Sequence, residues 1–285
     1  MTNIILKFPK ESEQHKYNLI HFRFFIQYAK HAGITVELVE SSDKVFIAKD
    51  HLVFSCLVND KQIIIDYADH STRSWKYLYP NIPYFKFQTT LPLSDNIVPL
   101  GPPMVGVKRV GSKGATLREY NELKEEYNYT PGSMILCKQL PNGAAIERRN
   151  YVHNLLTETF AERADTDAQA NQIDFWRAHE TCLASVCVPG ATNNMVDRGH
   201  IELLGLGVCT ISPELFTVFP DNQILIPDHH YIKCADDYSD LIDIIKHLEN
   251  NLDLCKRIGD NGRQFYDQVY SPKEYWSWII GNINE

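Results

Sequence analysis

From Ser133 onward the chain alternates short apolar runs with longer amphipathic stretches, and this alternation restricts the fold more than any other feature. Residues 133–138 read as a strand, Pro141-Asn-Gly143 as a turn, and the periodicity then predicts a helix over 145–163. A helix over 174–183, a strand over 184–188, a loop over 189–199, a helix over 200–206 and a strand over 208–212 follow. Short strands are expected at 224–226 and 231–233, and helices over 239–250, 252–270 and 272–283. Strands that are apolar throughout need cover on both faces, so the pattern predicts an α/β fold with parallel sheets between helix layers.

The preceding part alternates less regularly. Strands are expected at 3–8, 35–39, 45–48, 52–58, 62–67, 84–88 and 97–100, and a helix over 16–32 that stops at Gly33. Asn59-Asp60 sits between two strand patterns as a hairpin turn. A charged helix over 116–127 runs into Tyr129-Thr-Pro-Gly132, which reads as a boundary. Two domains result, residues 1–130 and 131–271, the usual outcome for 285 residues.

Composition narrows the function. The formal net charge is -8, the reverse of what a protein gripping nucleic acid through phosphates usually carries, so no nucleic-acid partner is expected. The seven cysteines show no CxxC pair, which argues against a zinc ribbon and for free, buried thiols in a reducing compartment. The first residues lack a signal-peptide core, and no apolar run is long enough to span a bilayer. The expectation is a cytoplasmic protein without stable membrane insertion.

The segment from Pro189 to Ser212 carries the most chemistry. A loop containing Gly190, Thr192, Asn193 and Asn194 leads from an apolar strand into a helix opened by Asp197, Arg198 and Gly199. Main-chain N–H groups at such a helix start favour an anion, and Arg198 adds a guanidinium fork for phosphate. Glu202, one turn in, is placed to accept hydrogen bonds from sugar hydroxyls. The alternative is plain: Asp197 as an N-cap, with Arg198 and Glu202 solvated.

Glu202-Leu-Leu-Gly-Leu-Gly-Val-Cys-Thr-Ile is similar to the Glu-Ala-x-Ala-x-Gly-x-Pro-Val-Ile segment of GT-B glycosyltransferases. Residues 230–233, 240–246, 254–265 and Tyr270-Ser-Pro resemble the C-terminal helices of that superfamily. The resemblance covers residues 133–285 well, and the N-terminal half only in its alternation. It implies two Rossmann-like domains facing across a cleft, with helix 272–285 crossing back onto the first. It also implies a nucleotide-diphosphate sugar as donor substrate, a carbohydrate acceptor, and no metal or other cofactor. By position Glu202 would bind the donor ribose. Retaining families carry a second glutamate eight positions earlier, where this chain has Asn194, so an inverting reaction is the expectation.

Lys138, at the end of the strand that opens the second domain, and Arg148 or Arg149 at the next helix start are candidates to neutralise a diphosphate leaving group. Arg148 is preferred. In the first domain an apolar strand runs into Asp66, Asp69 and His70. Inverting transfer needs a general base there; Asp69 is the first candidate and His70 the second. Lys86 reads as a surface lysine. Asp165-Thr-Asp167 has the DxD pattern of metal-dependent transferases but follows a helix and reads as a solvated loop. The rival function is a sugar-nucleotide epimerase, or a binding protein without a working base.

Overall fold

The hairpin expected at Asn59-Asp60 decides how the first sheet is built. In the computed structural model, residues 4–10, 18–40, 53–67, 81–93, 97–101, 115–167, 171–190 and 194–284 are described. Asn59 and Asp60 take positive φ, 48° and 68°, the pair of left-handed conformations that a type I′ turn requires. They join β3 (Val53–Val58) to β4 (Lys61–Asp66) as antiparallel neighbours. With β1 (Ile5–Pro9), β2 (Thr35–Val39), β5 (Tyr84–Lys86) and β6 (Ile97–Pro99), the order is β2-β1-β3-β4-β5-β6. Pairings β1–β2, β4–β5 and β5–β6 are parallel, whereas β1–β3 and β3–β4 are antiparallel. This sheet is therefore mixed, which corrects the expectation of parallel sheets throughout. A two-residue loop reverses the chain and leaves no room for a crossover helix. The strand expected at 45–48 lies outside the described residues.

The chain forms two compact units. The first contains this sheet, residues up to Val107, together with Val218–Gln223 and Val269–Glu285. Its core is aromatic: Phe8 meets Phe22 and Phe25 edge-on, at centroid distances of 5.4 and 5.9 Å, and both also touch Phe54. Phe22 and Phe25 lie on α1 (Asn18–His31). The C-terminal helix, Pro272–Asn284, brings Tyr275 and Trp276 onto Phe25 and Tyr28. Tyr28 donates to the Tyr270 carbonyl at 3.0 Å, and Trp278 Nε1 to the Pro99 carbonyl at 2.9 Å. The aromatic residues near the C-terminus are spent on packing.

The second unit, Lys108–Thr217 with Ile224–Gln268, holds α2 (Leu117–Glu126), β7 (Met134–Leu136), α3 (Ile146–Phe160), β8 (Ala164–Asp165) and α4 (Gln172–Ala178). After them come β9 (Cys182–Val186), α5 (Arg198–Leu206), β10 (Thr210–Ser212), β11 (Ile232–Lys233), α6 (Leu241–Glu249) and α7 (Leu252–Val269). The sheet order is β11-β10-β9-β7-β8 with every pairing parallel. Numbered within the unit this is the 2-1-3-4-5 order of doubly wound sheets, whose winding reverses between β7 and β9. Cys182 and Leu183 belong to β9, two residues earlier than the expected 184–188, and α4 stops at Ala178. Residues 224–226 form no strand. All seven cysteines are free and buried.

Helix ends in this unit follow from local chemistry. Thr116 and Glu119 form a reciprocal capping box at α2. Asp197 caps α5, and Gly207 closes it at φ 75°, its N–H reaching the Leu203 and Leu204 carbonyls. A side chain at Gly259 of α7 would stand 2.0 Å from the Gly207 carbonyl oxygen, so the two helices approach only because that position is bare. Among the described residues no helix is long and apolar enough to cross a membrane.

Candidate functional site

Side chains that follow a parallel strand project beyond its carboxyl end, and at a winding reversal the two flanking loops diverge and leave a crevice. The second unit has a cavity of about 390 Å³ there, lined by Lys138, Gln139 and Leu140 after β7, Arg149 of α3, Gln172 and Phe175 of α4, and Asp197, Arg198, Gly199 and Glu202 at the start of α5. That volume falls in the usual range of ligand pockets, about 300–1,000 Å³. Lys138, Asp197, Arg198, Gly199 and Glu202 were expected from the sequence and are gathered in one place.

Each cation of this cavity meets a carboxylate. Lys138 Nζ pairs with Asp165 and reaches the Asp167 carbonyl at 3.3 Å. Arg149 donates to Asp197 Oδ2 at 3.2 Å and to the Val188 and Leu140 carbonyls at 3.1 and 2.8 Å. Arg198 Nε lies 3.1 Å from Glu202 Oε1, and another of its nitrogens donates to Gln172 Oε1 at 3.0 Å. Gln139 ties the floor together, accepting from the Val188 N–H and donating to Asp197 Oδ2.

Two expectations and one alternative need correction here. Arg149, not Arg148, is the arginine of the cavity; Arg148 donates to the Pro189 and Gly190 carbonyls. The helical spacing explains it: the buried positions Ala145, Arg149, Val152, Leu156 and Phe160 recur at three or four residues, placing Arg149 on the inward face. The solvated-loop reading of Asp165-Thr-Asp167 holds for Asp167, which is exposed beyond the strand, but not for Asp165, which β8 delivers alongside β7 and onto Lys138. Glu202 is 1% exposed and not solvated. The N-cap alternative for Asp197 holds as well: its Oδ1 accepts from the His200 N–H at 3.0 Å while Oδ2 faces Arg149 and Gln139. Capping and site placement coexist on one carboxylate.

Glu202 has an unusual environment. Its Oε2 accepts from Gln172 and from Trp176 Nε1, the latter at 2.9 Å. Its Oε1 is buried and makes no hydrogen bond of good geometry, although Arg198 stands beside it. Burial raises its pKa to about 7 against the opposing pull of Arg198. Burial also raises the Asp197 carboxyl, opposed first by Arg149.

The remaining candidates lie elsewhere. Asn194 donates to the Glu214 carbonyl at 2.7 Å and to Asp236 Oδ1 at 3.2 Å, and it does not line the cavity. Gly190 serves as acceptor for Arg148. In the first unit Asp66 is fully buried, 3.3 Å from Lys86 and hydrogen-bonded by Tyr84, so no acceptor hydroxyl reaches it; Lys86 is equally buried and not a surface lysine. Asp69, His70, Thr192 and Asn193 lie outside the described residues. Gln139, Leu140, Gln172 and Phe175 were not foreseen: Gln139 and Leu140 were readable as neighbours of Lys138, but nothing in the sequence aimed α4 at the cavity.

No family model and no curated protein matches the chain. Among solved structures, a glycosyltransferase from Rickettsia africae ESF-5 is similar over 78% of this chain and 69% of its own, with a TM-score of 0.45 and 12% sequence identity.

Proposed function

We propose that the protein is a glycosyltransferase of the GT-B type that uses a nucleotide-diphosphate sugar, held in the cavity of the second unit. The observation that carries this reading is the convergence of Lys138, Arg149, Arg198 and the α5 start on one crevice at the winding reversal of a doubly wound sheet. Crevices of that kind take ligands whose phosphates meet helix N-termini, and this one adds three cations. When the glycosidic bond breaks, charge grows on the departing diphosphate, and fixed positive groups stabilise that change more than the ground state. Lys138 and Arg198 are assigned that role, Arg149 holds the floor of the cavity, and Glu202 faces the nucleoside side. The reaction is read as inverting and metal-independent, with Asp69 or His70 taking the proton of an acceptor hydroxyl. Asp66 is set aside as a base because it is buried.

The burial of Asp66 favours a second reading, a sugar-nucleotide-binding protein without transfer activity. A thermal-shift panel of UDP, GDP, dTDP, CMP and ADP, with and without Mg²⁺ or Mn²⁺, tests the donor site. Saturating ligand at a hundred times its dissociation constant stabilises by about 2.7 kcal/mol. A metal-independent shift with one nucleoside diphosphate, lost in Arg198→Ala, is expected; no shift with any nucleotide overturns the assignment. Release of that nucleotide from its sugar conjugates, abolished in an Asp69→Asn/His70→Ala variant that still binds, separates transfer from binding.

A further inference from the structure

The lining cations of the second unit's cavity are already neutralised by the chain itself: Lys138 by Asp165, Arg149 by Asp197 and Arg198 by Glu202. A diphosphate entering this cavity therefore competes with three carboxylates for the same cations. The three pairs differ in what happens to the carboxylate left behind. The Asp165 side chain is about one-third exposed, at 35%, and water can solvate it; Asp197 at 21% keeps Gln139 and the His200 N–H. Glu202 is 1% exposed at the side chain, and Arg198 is its only cation among the described contacts.

Resting on the reading above, we infer that a nucleoside diphosphate binds this cavity together with a proton, which Glu202 takes up when the phosphate claims Arg198. The physical reason is the cost of a buried carboxylate stripped of its counter-charge, which is relieved by protonation. Among the described residues no second cation pairs with Glu202. Glu202 is faced by Arg198 and Asp197 from its own helix and by Gln172 and Trp176 from α4. From α2, Tyr120 spends its hydroxyl on the Glu202 main-chain carbonyl at 2.7 Å, and Tyr266 of α7 packs on Tyr120. The proton comes from solvent and settles on Oε1, the oxygen without a well-aligned hydrogen bond, because Oε2 is occupied by two donors. The carboxyl then becomes a donor, where before it could only accept. Glu202 is thus a charge gate: it converts a balanced cavity into one with a surplus positive charge as the anion arrives. Its pKa of about 7 in the empty cavity makes the proton readily gained near neutrality.

The test is calorimetry with the nucleoside diphosphate that gives a shift in the panel above, at pH 8 in HEPES and in Tris, buffers of different ionisation enthalpy. Uptake of about one proton per molecule bound is expected, with affinity falling up to about tenfold per pH unit between pH 7.5 and 9. Glu202→Gln keeps the shape without the titration, so its binding should lose the buffer dependence and stay flat over the same range. Tight binding by wild type with no buffer dependence overturns proton uptake and leaves the donor-site reading intact. Uptake that persists in Glu202→Gln overturns the assignment to this residue. Absence of binding by every diphosphate defeats the donor-site reading and the inference with it. Should Glu202→Gln fail to fold, the wild-type buffer and pH dependence still decides whether a proton is taken up.

Discussion

The buried Asp66–Lys86 pair of the first unit contrasts with the cavity-lining ion pairs of the second. In the first, Asp66 and Lys86 are both fully buried as cross-strand partners on the interior strands β4 and β5, with Tyr84 closing the carboxylate. In the second, the cations of Lys138–Asp165, Arg149–Asp197 and Arg198–Glu202 all line an open cavity. A sealed pair can only hold structure, because its charges have no route to a ligand. A pair at a cavity wall can exchange partners. Sequence alone made Asp66 and Lys138 look alike, each an ionisable group at the end of an apolar strand; both are buried, and what separates them is that Lys138 lines the cavity and pairs with a partly exposed carboxylate.

The largest effect should come from breaking the sealed pair on one side. Lys86→Met removes the cation 3.3 Å from the buried Asp66 and should cost about 3–5 kcal/mol in denaturant unfolding, whereas Asp66→Asn with Lys86→Met should recover most of that loss. Equal destabilisation by the single and double variants would mean that the pair does not act as a unit. Next, Arg149→Ala removes donors to Asp197 and to two carbonyls. It should cost about 2 kcal/mol and weaken nucleoside diphosphate binding at least about tenfold. Stability lost with affinity unchanged would confine Arg149 to scaffolding.

Acid and base should each destabilise the second unit, through different groups. His179 and His200 are held neutral by burial, at about 4 and about 3, with Nε2 on Ser185 and Thr210 hydroxyls respectively. The unfolded chain binds their protons near pH 6.5, so their contribution is complete above that value and is lost as pH falls toward 4 and 3. Glu202 runs the other way. Its folded value of about 7 lies above the usual 4.5, so its contribution is complete below pH 4.5 and is lost as pH rises through 7. Glu202→Gln should therefore be more stable than wild type at pH 8, on the order of 1–2 kcal/mol, with the difference vanishing near pH 4. Unfolding curves at the two pH values check the sign. The smallest effect is expected at the α2 capping box, where Thr116→Ala should cost about 1 kcal/mol without changing ligand affinity.

Local signals carried much of the fold. Asn59-Asp60 marked the hairpin and Gly33 the end of α1, and the cores of the helices lay within a few residues of their expected bounds. What pattern could not supply was long-range. That β1 pairs antiparallel with β3 depends on where strands meet, not on their composition. The two residues of β8 are too short to show a strand period, yet they carry Asp165 to Lys138. At the cavity, residue types around α5 were readable because a capped helix start after an apolar strand has a local signature. Gln172, Trp176 and Phe175 were not, since the docking of α4 against α5 is a tertiary event. Arg149 stands between: its helical face was in the spacing, and reading Ala145, Val152 and Leu156 together with it would have chosen it over Arg148.

Hydrogen–deuterium exchange with and without the best-binding nucleoside diphosphate tests most directly that ligand acts at the open pairs and not at the sealed one. The account predicts slower exchange in peptides spanning 137–149, 172–178 and 196–206, with peptides spanning 61–67 and 84–88 unchanged. Protection centred on 61–67 and 84–88, with the α5 start unaffected, would contradict it.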